Sequence, residues 1–340
     1  MTHTAPDAQT QAIVTATRAF LDSLSADQRV QVQFTFTPQQ TATAAHFTGG
    51  PNNRTAFVGE QYGQAVWSNF PVSDVPRPGL TLGSLSAEQR IAAMHLLQVL
   101  LSPKGYQKVV EIMNSDQVLS ESGTPYAAGT AHYTLGIFGN PSASEPWMIQ
   151  FGGHHLGLNV TLVGGQGTLA PSLTGAQPAI YELEGKTVRP LGRETDKALA
   201  LLSSLDQSQR KQAILGFQIH DLVLGPGRDG QMIEPEGIRG SQLTAKQREM
   251  LLDLASEWTG IVHEAFANAK LEEMKKDIAE TWFAWSGPAE EGSAAYFRIQ
   301  GPTVIIEYAP QCVGGDPLNH IHTIYRDPTN NYGAKWLKQP

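Results

Sequence analysis

His320-Ile321-His322 places two imidazoles two residues apart. On a strand, that spacing puts both side chains on one face. Upstream, Phe151-Gly152-Gly153-His154-His155 offers a second histidine pair beside glycines, where backbone or a ligand can approach closely. Four of the ten histidines thus fall in two short segments that read as strand ends. Imidazole serves metal ligation, proton transfer and anion binding. Val304-Ile305-Ile306-Glu307-Tyr308 adds a carboxylate inside an apolar run, and a buried carboxylate needs a cation or hydrogen-bond donors.

His320, His322, one of His154 and His155, and Glu307 together supply three imidazoles and a carboxylate. That donor set suits a divalent transition metal: zinc first, with iron, copper or manganese as alternatives. If His154 and His155 lie on a regular strand, only one can face the site, and the sequence does not choose between them. The chain continues from His322 into Arg326-Asp327-Pro328. Arg326 and Asp327 are therefore candidate catalytic groups alongside Glu307. Trp67, Asn69 and Arg77, in or near Trp67-Ser68-Asn69-Phe70-Pro71, are candidates for substrate binding in a loop. Two other readings need no metal. In one, the histidines are hydrogen-bonded core; in the other, they join Arg326 and Arg77 in binding an anion, for which a guanidinium offers bidentate geometry.

Other motifs carry less. Gly225-Pro226-Gly227-Arg228-Asp229-Gly230 spells a dinucleotide fingerprint, but no capped helix follows it. His263-Glu264 opens a zincin pattern that Ala267 does not complete. Cys312 is the sole cysteine, which excludes an intrachain disulfide and a multi-thiolate zinc site.

The elements that position these residues show a repeating order. Leu24-Ser25-Ala26-Asp27-Gln28, Leu85-Ser86-Ala87-Glu88-Gln89, Leu205-Asp206-Gln207-Ser208-Gln209 and Leu243-Thr244-Ala245-Lys246-Gln247 each set a capping residue three positions before Gln, with Leu as a staple. After the second start come Thr134–Pro141 and Trp147–Gly152; after the fourth come Thr281–Pro288 and Ala295–Gly301. Each pair reads as a hairpin. The expected fold is α+β, with two duplicated helix-plus-hairpin halves at 20–185 and 200–330 related by a pseudo-twofold and packed as one globular unit. Residues 1–19 and 331–340 are then terminal segments. Thr168 to Pro190, rich in Gly, Pro and Ser/Thr, reads as a loop crossing between the halves. Thr244 to Ile278 has long helical character, with Leu251, Leu254, Trp258, Ile261 and Val262 as its core stripe.

A chain of 340 residues, 41% hydrophobic, can bury one large core or two ordinary ones. Its formal net charge of −8, with no basic block, argues against nucleic acid and anionic membranes as partners. No apolar run is long enough to span a bilayer, and the first residues lack a signal-peptide pattern, so a cytoplasmic protein is expected. The expected partner is a small-molecule substrate, with oligomeric state left open.

Several segments together resemble the domain of unknown function family 3500 (DUF3500). They are Trp67–Pro71 with Arg77, Ser102–Tyr106, Ile137–Pro141, Phe151–Leu156, Phe283–Gly287, and His320–Thr323 through Arg326-Asp327-Pro328 to Asn331-Tyr332-Gly333. The family pattern carries an acidic residue where this chain has Asn331. The resemblance implies that the His-His and His-x-His segments belong to one shared design, but it brings no activity with it. The residues lead us to expect a metal-dependent hydrolase, because three histidines with an open position lower the pKa of bound water to roughly 7. The alternatives are an iron or copper oxidoreductase at the same residues and a metal-free His/Arg anion binder.

Overall fold

The computed structural model describes residues 8–49, 55–290, 292–313 and 315–337; His3 and the ends of both terminal segments lie outside these. The chain opens with α1 (Ala8–Asp22), α2 (Ala26–Val32), β1 (Gln33–Phe34), β2 (Thr43–Gly49), β3 (Thr55–Tyr62), β4 (Ala65–Trp67) and β5 (Leu80–Thr81). Then follow α3 (Ala87–Leu100), α4 (Pro103–Glu121), β6 (Thr134–Phe138), β7 (Trp147–Gly152), β8 (Leu156–Val163), β9 (Gln166–Thr168) and β10 (Ser172–Ala176). A small ribbon, β11 (Tyr181–Leu183) and β12 (Lys186–Val188), leads to α5 (Gly192–Ser204), α6 (Gln207–Ala213) and β13 (Ile238–Arg239). The chain closes with α7 (Ala245–Thr259), α8 (Glu264–Lys276), β14 (Trp282–Ser286), β15 (Tyr296–Gly301), β16 (Val304–Pro310), β17 (Ile321–Arg326) and α9 (Ala334–Leu337).

The four expected helix starts form as capping boxes at Ser25, Ser86, Asp206 and Thr244, each with Gln reaching back to the cap. β6–β7 and β14–β15 pair antiparallel as the expected hairpins. The fold is mixed α+β. A mixed sheet, twelve-stranded among the described residues, runs unbroken through residues of both expected halves, in the order β1-β6-β7-β8-β10-β17-β16-β15-β14-β13, with β5 on β6 and β9 on β8. Its centre is the antiparallel pair β10–β17, one strand from each half, in register at Thr174 and Thr323.

Strand alternation divides the two faces. Leu135, Ile149, Leu158, Phe283, Phe297, Ile306 and Tyr325 point into the core under the helices. The residues between them make a second buried face that is largely polar: Gln150, Asn159, Arg298, Gln300, Glu307, His322 and Arg326 are all buried. Roofing that face is the three-stranded sheet β2-β3-β4, whose Trp67 packs with Leu173 and Ile324. Such a layer holds only when every polar group finds a partner.

Two expectations need correction. Thr168–Pro190 is not a crossing loop, because it contains the central strand β10. Ser172-Leu173-Thr174-Gly175-Ala176 is buried on both faces, so small residues make room rather than a turn. The long helix from Thr244 also breaks at Gly260, giving α7 and α8. There Ser102 N donates to Ile261 O (3.0 Å) and His263 N to Leu100 O (3.0 Å), joining the two helix pairs by their backbones. The expected terminal segments also carry buried residues: Ile13, Val14 and Ala16 of α1, and Tyr332. Among the described residues no helix is long and apolar enough to cross a membrane.

A candidate metal centre of three imidazoles

The site lies where β10 ends and β17 begins. His320 immediately precedes β17, and His322 is its second residue. The Gly153-His154-His155 turn between β7 and β8 brings His155 over Gly175, whose backbone N–H donates to His155 O at 2.7 Å. Gly175 sits opposite His322 in the β10–β17 register. A Cβ there would lie 2.8 Å from Ile321 O, 3.1 Å from His155 Cδ2 and 3.3 Å from His322 Cδ2. The missing side chain therefore lets two rings meet above the strand.

Three Nε2 atoms converge. His155 Nε2 is 3.1 Å from His320 Nε2, which is 3.1 Å from His322 Nε2. The rings of His155 and His320 meet edge to face at 89°, as do those of His320 and His322 at 88°. All three side chains are buried.

The other ring nitrogens are held from outside. His155 Nδ1–H donates to Asp116 Oδ1 at 2.6 Å, from α4. His320 Nδ1–H donates to the Val313 carbonyl at 2.7 Å. His322 Nδ1 lies 3.4 Å from the Asn69 side-chain amide, whose two ends are interchangeable by a half-turn. Asp116 is itself anchored, because its other oxygen accepts from the Tyr133 hydroxyl.

These contacts determine the tautomers. A carboxylate and a carbonyl only accept, so His155 and His320 both carry their proton on Nδ1 when neutral. Their Nε2 lone pairs then face each other at 3.1 Å. A proton or a cation between them relieves that contact. Burial, with His155 alongside, pushes His320 down to about 4, and burial pushes His322 well below the ordinary histidine range. Near neutral pH His320 and His322 are therefore neutral, and the triad can bind a metal ion. An outward Nδ1–H bonded to carboxylate, carbonyl or amide is the usual support of a ligating histidine.

His154 takes a different place. Its ring stacks on that of His155 at 3.9 Å, and Tyr126 meets it edge-on at 5.9 Å. Its buried Nδ1 has no hydrogen-bond partner. Asp116, His154 and His155 also lie close enough to form a second three-residue donor group.

The remaining candidates are placed as follows. Asn69 reaches His322. Arg77 is buried, and its guanidinium donates to the carbonyls of Ser68 (2.7 Å), Phe70 (2.6 Å) and Gly153 (3.2 Å) and to Val75 O. It therefore clasps the Asn69 loop to the His154–His155 turn. Burial lowers it to about 9, which leaves it charged at neutral pH. Glu307 is occupied elsewhere: its carboxylate accepts from Val223 N (2.9 Å), Leu224 N (2.7 Å) and the Tyr296 hydroxyl. Arg326 forks onto Glu60 at 2.6 and 3.1 Å, donates to Leu224 O and Gly225 O, and lies over Trp67. Asp327 pairs with Lys270 at 2.6 Å and accepts from Thr329. Trp67 Nε1 donates to Tyr332 Oη at 2.7 Å. Asn331 accepts from Asp327 N and donates to Asp229 Oδ1 at 2.6 Å, a donation that a carboxylate at 331 could not make.

The sequence reading missed Asp116, the Val313 carbonyl and Gly175. Asp116 had a signal: it falls on the stripe Val109, Ile112, Met113, Leu119 of α4, where a carboxylate needs a buried partner.

A protein-family model described as "Protein of unknown function (DUF3500)" matches residues 40–334. The chain belongs to the DUF3500 family. The match takes in all three imidazoles together with Asn69, Asp116 and Val313. No curated protein and no solved structure matches the chain.

Proposed function

We propose that the protein holds a divalent transition metal, zinc first, on the Nε2 atoms of His155, His320 and His322, and that it is a hydrolase of a small polar substrate. The carrying observation is the 3.1 Å convergence of three Nε2 atoms, with the Nδ1–H groups of His155 and His320 committed outward. Three neutral ligands leave the ion its full charge and an open position, and such an ion supplies Lewis acidity and water activation. Asp116 and Val313 O hold His155 and His320 in the ligating tautomer, and Asn69 contacts the His322 ring at Nδ1. His154, with a buried unpartnered nitrogen beside the ligands, is the residue suited to hydrogen-bond substrate or water. Glu307 and Arg326, with Trp67, build the polar layer that keeps β17 in place, and Asp327 ties its end to Lys270 of α8. Arg77 fixes the loop that carries Asn69.

The test is metal content and turnover in one series. Protein purified without a His-tag, stripped and reloaded with zinc, iron, copper or manganese, should retain close to one ion per chain. His320→Ala and His322→Ala should fold but lose it. The zinc form should hydrolyse 4-nitrophenyl acetate faster than either variant. Retention of copper or iron alone, with a visible or spin-resonance signal, would replace hydrolysis by redox chemistry. No retention of any of the four would end the metal reading.

We also propose that 20–185 and 200–330 are copies. The support is matched detail. Gln89 Nε2 donates to Ser23 O at 2.9 Å and meets Gln28, while Gln247 Nε2 donates to Ser204 O at 2.9 Å and meets Gln209. Gly79 abuts Leu135 O as Gly237 abuts Phe283 O. Gln89→Ala and Gln247→Ala should lower stability by similar amounts in urea titrations. A large loss at one and none at the other would count against equivalence.

A further inference from the structure

A cavity of about 310 Å3 lies on the helix side of the sheet, across β17 from the imidazoles. Its floor spans four adjacent strands: Trp285, Phe297, Tyr308 and Ile321. The three aromatic rings are nearly parallel, Trp285 to Phe297 at 8° and Phe297 to Tyr308 at 11°. Leu191, Thr195 and Leu199, at the start of α5, line it from the other side. At its rim, Ile180 and Leu318 are half exposed, at 52% and 45%. Large apolar side chains left open around a concave aromatic floor mark a ligand site more often than an accident of packing.

The polar groups narrow the occupant. Among the described residues the charged ones lining it are Arg189 and Asp196, joined by a two-bond fork at 3.0 and 2.8 Å, so a neutral occupant fits. Thr195 Oγ1 donates to Leu191 O at 3.2 Å. In the 2.8 Å contact between Thr195 Oγ1 and Tyr308 Oη, Tyr308 is therefore the donor. The Tyr308 oxygen keeps its lone pairs for a donor from the cavity.

We infer that this cavity binds a neutral, planar aromatic molecule carrying one N–H or O–H donor, of the size of an indole or a phenol. The inference is independent of the metal reading. The two sites share a segment, however: Pro317 and Leu318 line the cavity, and Val313 of the same loop holds His320.

The probes are indole and benzofuran, which match in shape and differ in the N–H, titrated calorimetrically into the full chain. Indole should bind with a Kd of order 0.1–1 mM, and benzofuran roughly three- to tenfold more weakly. Tyr308→Phe should remove the preference. Leu199→Trp, which fills the cavity, and Ser293→Trp at its edge should each abolish binding of both probes. Failure of indole to bind the parent, or binding unchanged in both tryptophan variants, would overturn the site. A preference for indole that survives Tyr308→Phe would overturn the donor requirement.

Discussion

Asp116→Asn tests whether the triad is a built metal centre or a group of packed histidines. Asp116 Oδ1 stands 2.6 Å from His155 Nδ1, and the carboxylate also accepts from Tyr133. Both Asp116 and His155 are buried, so water does not replace what is lost. Asn keeps the shape and one acceptor oxygen but removes the negative charge that holds the Nδ1 proton and so fixes Nε2 as the ligating atom. Charge-assisted hydrogen bonds contribute about 1.5–3 kcal/mol, and removing an outer partner of a ligating histidine costs roughly 10- to 100-fold in affinity. The two scales agree, because about 1.4 kcal/mol is tenfold. The assay is competition for zinc against a chromophoric chelator at pH 7, with near-ultraviolet circular dichroism to confirm folding. Glu194→Gln, which breaks a buried pair with Lys108 away from the triad, serves as control. A folded Asp116→Asn protein that binds zinc within about threefold of the parent would refute the reasoning, as would an equal loss in the control.

Further outcomes follow from the same geometry. Because His320 sits at about 4 in the metal-free fold against 6.5 in the unfolded chain, the unfolded state binds more protons between those values. Metal-free protein should therefore lose stability as pH falls from 6.5 toward 4, by about 3 kcal/mol from His320 alone, and His320→Ala should reduce but not abolish the slope of urea midpoints across that range, because His322 is also held below the ordinary histidine range. Gly175→Ala brings a methyl within 2.8 Å of Ile321 O, 3.1 Å of the His155 ring and 3.3 Å of the His322 ring, so it should lower both Tm and zinc affinity; unchanged affinity in the folded variant would mean the rings are not confined there. Glu307→Gln, with its donors at Val223, Leu224 and Tyr296, should cost about 1–3 kcal/mol in urea denaturation yet leave metal content unchanged. Metal loss in folded Glu307→Gln would return that carboxylate to the site.

Short-range patterns carried the parts that the sequence revealed. Capping boxes and hairpins are written within a few residues, so Ser86-x-x-Gln89 and Thr134–Gly152 announce their elements. His320 and His322 were legible because a spacing of two has one meaning on a strand. The choice between His154 and His155 was not legible, because both lie in a turn whose path depends on Gly175 and Asp116, distant in sequence. β10 was hidden for the same reason: a strand made small to seat two rings has the composition of a loop. Glu307 was read as a buried carboxylate needing partners, whereas Arg326 was read as a catalytic or anion-binding group and instead pairs with Glu60. Those partners, the Val223 and Leu224 amides and Glu60, come from the roof of the polar face, which no local pattern announces.

The most direct measurement is zinc K-edge X-ray absorption on stoichiometrically loaded protein, parent and His155→Ala. Three imidazole nitrogens at about 2.0–2.1 Å with oxygen as a fourth ligand in the parent, and a lost or rearranged shell in the variant, are the expected result. A shell of oxygens alone, or the same imidazole count after His155 is removed, would contradict a metal centre at this triad.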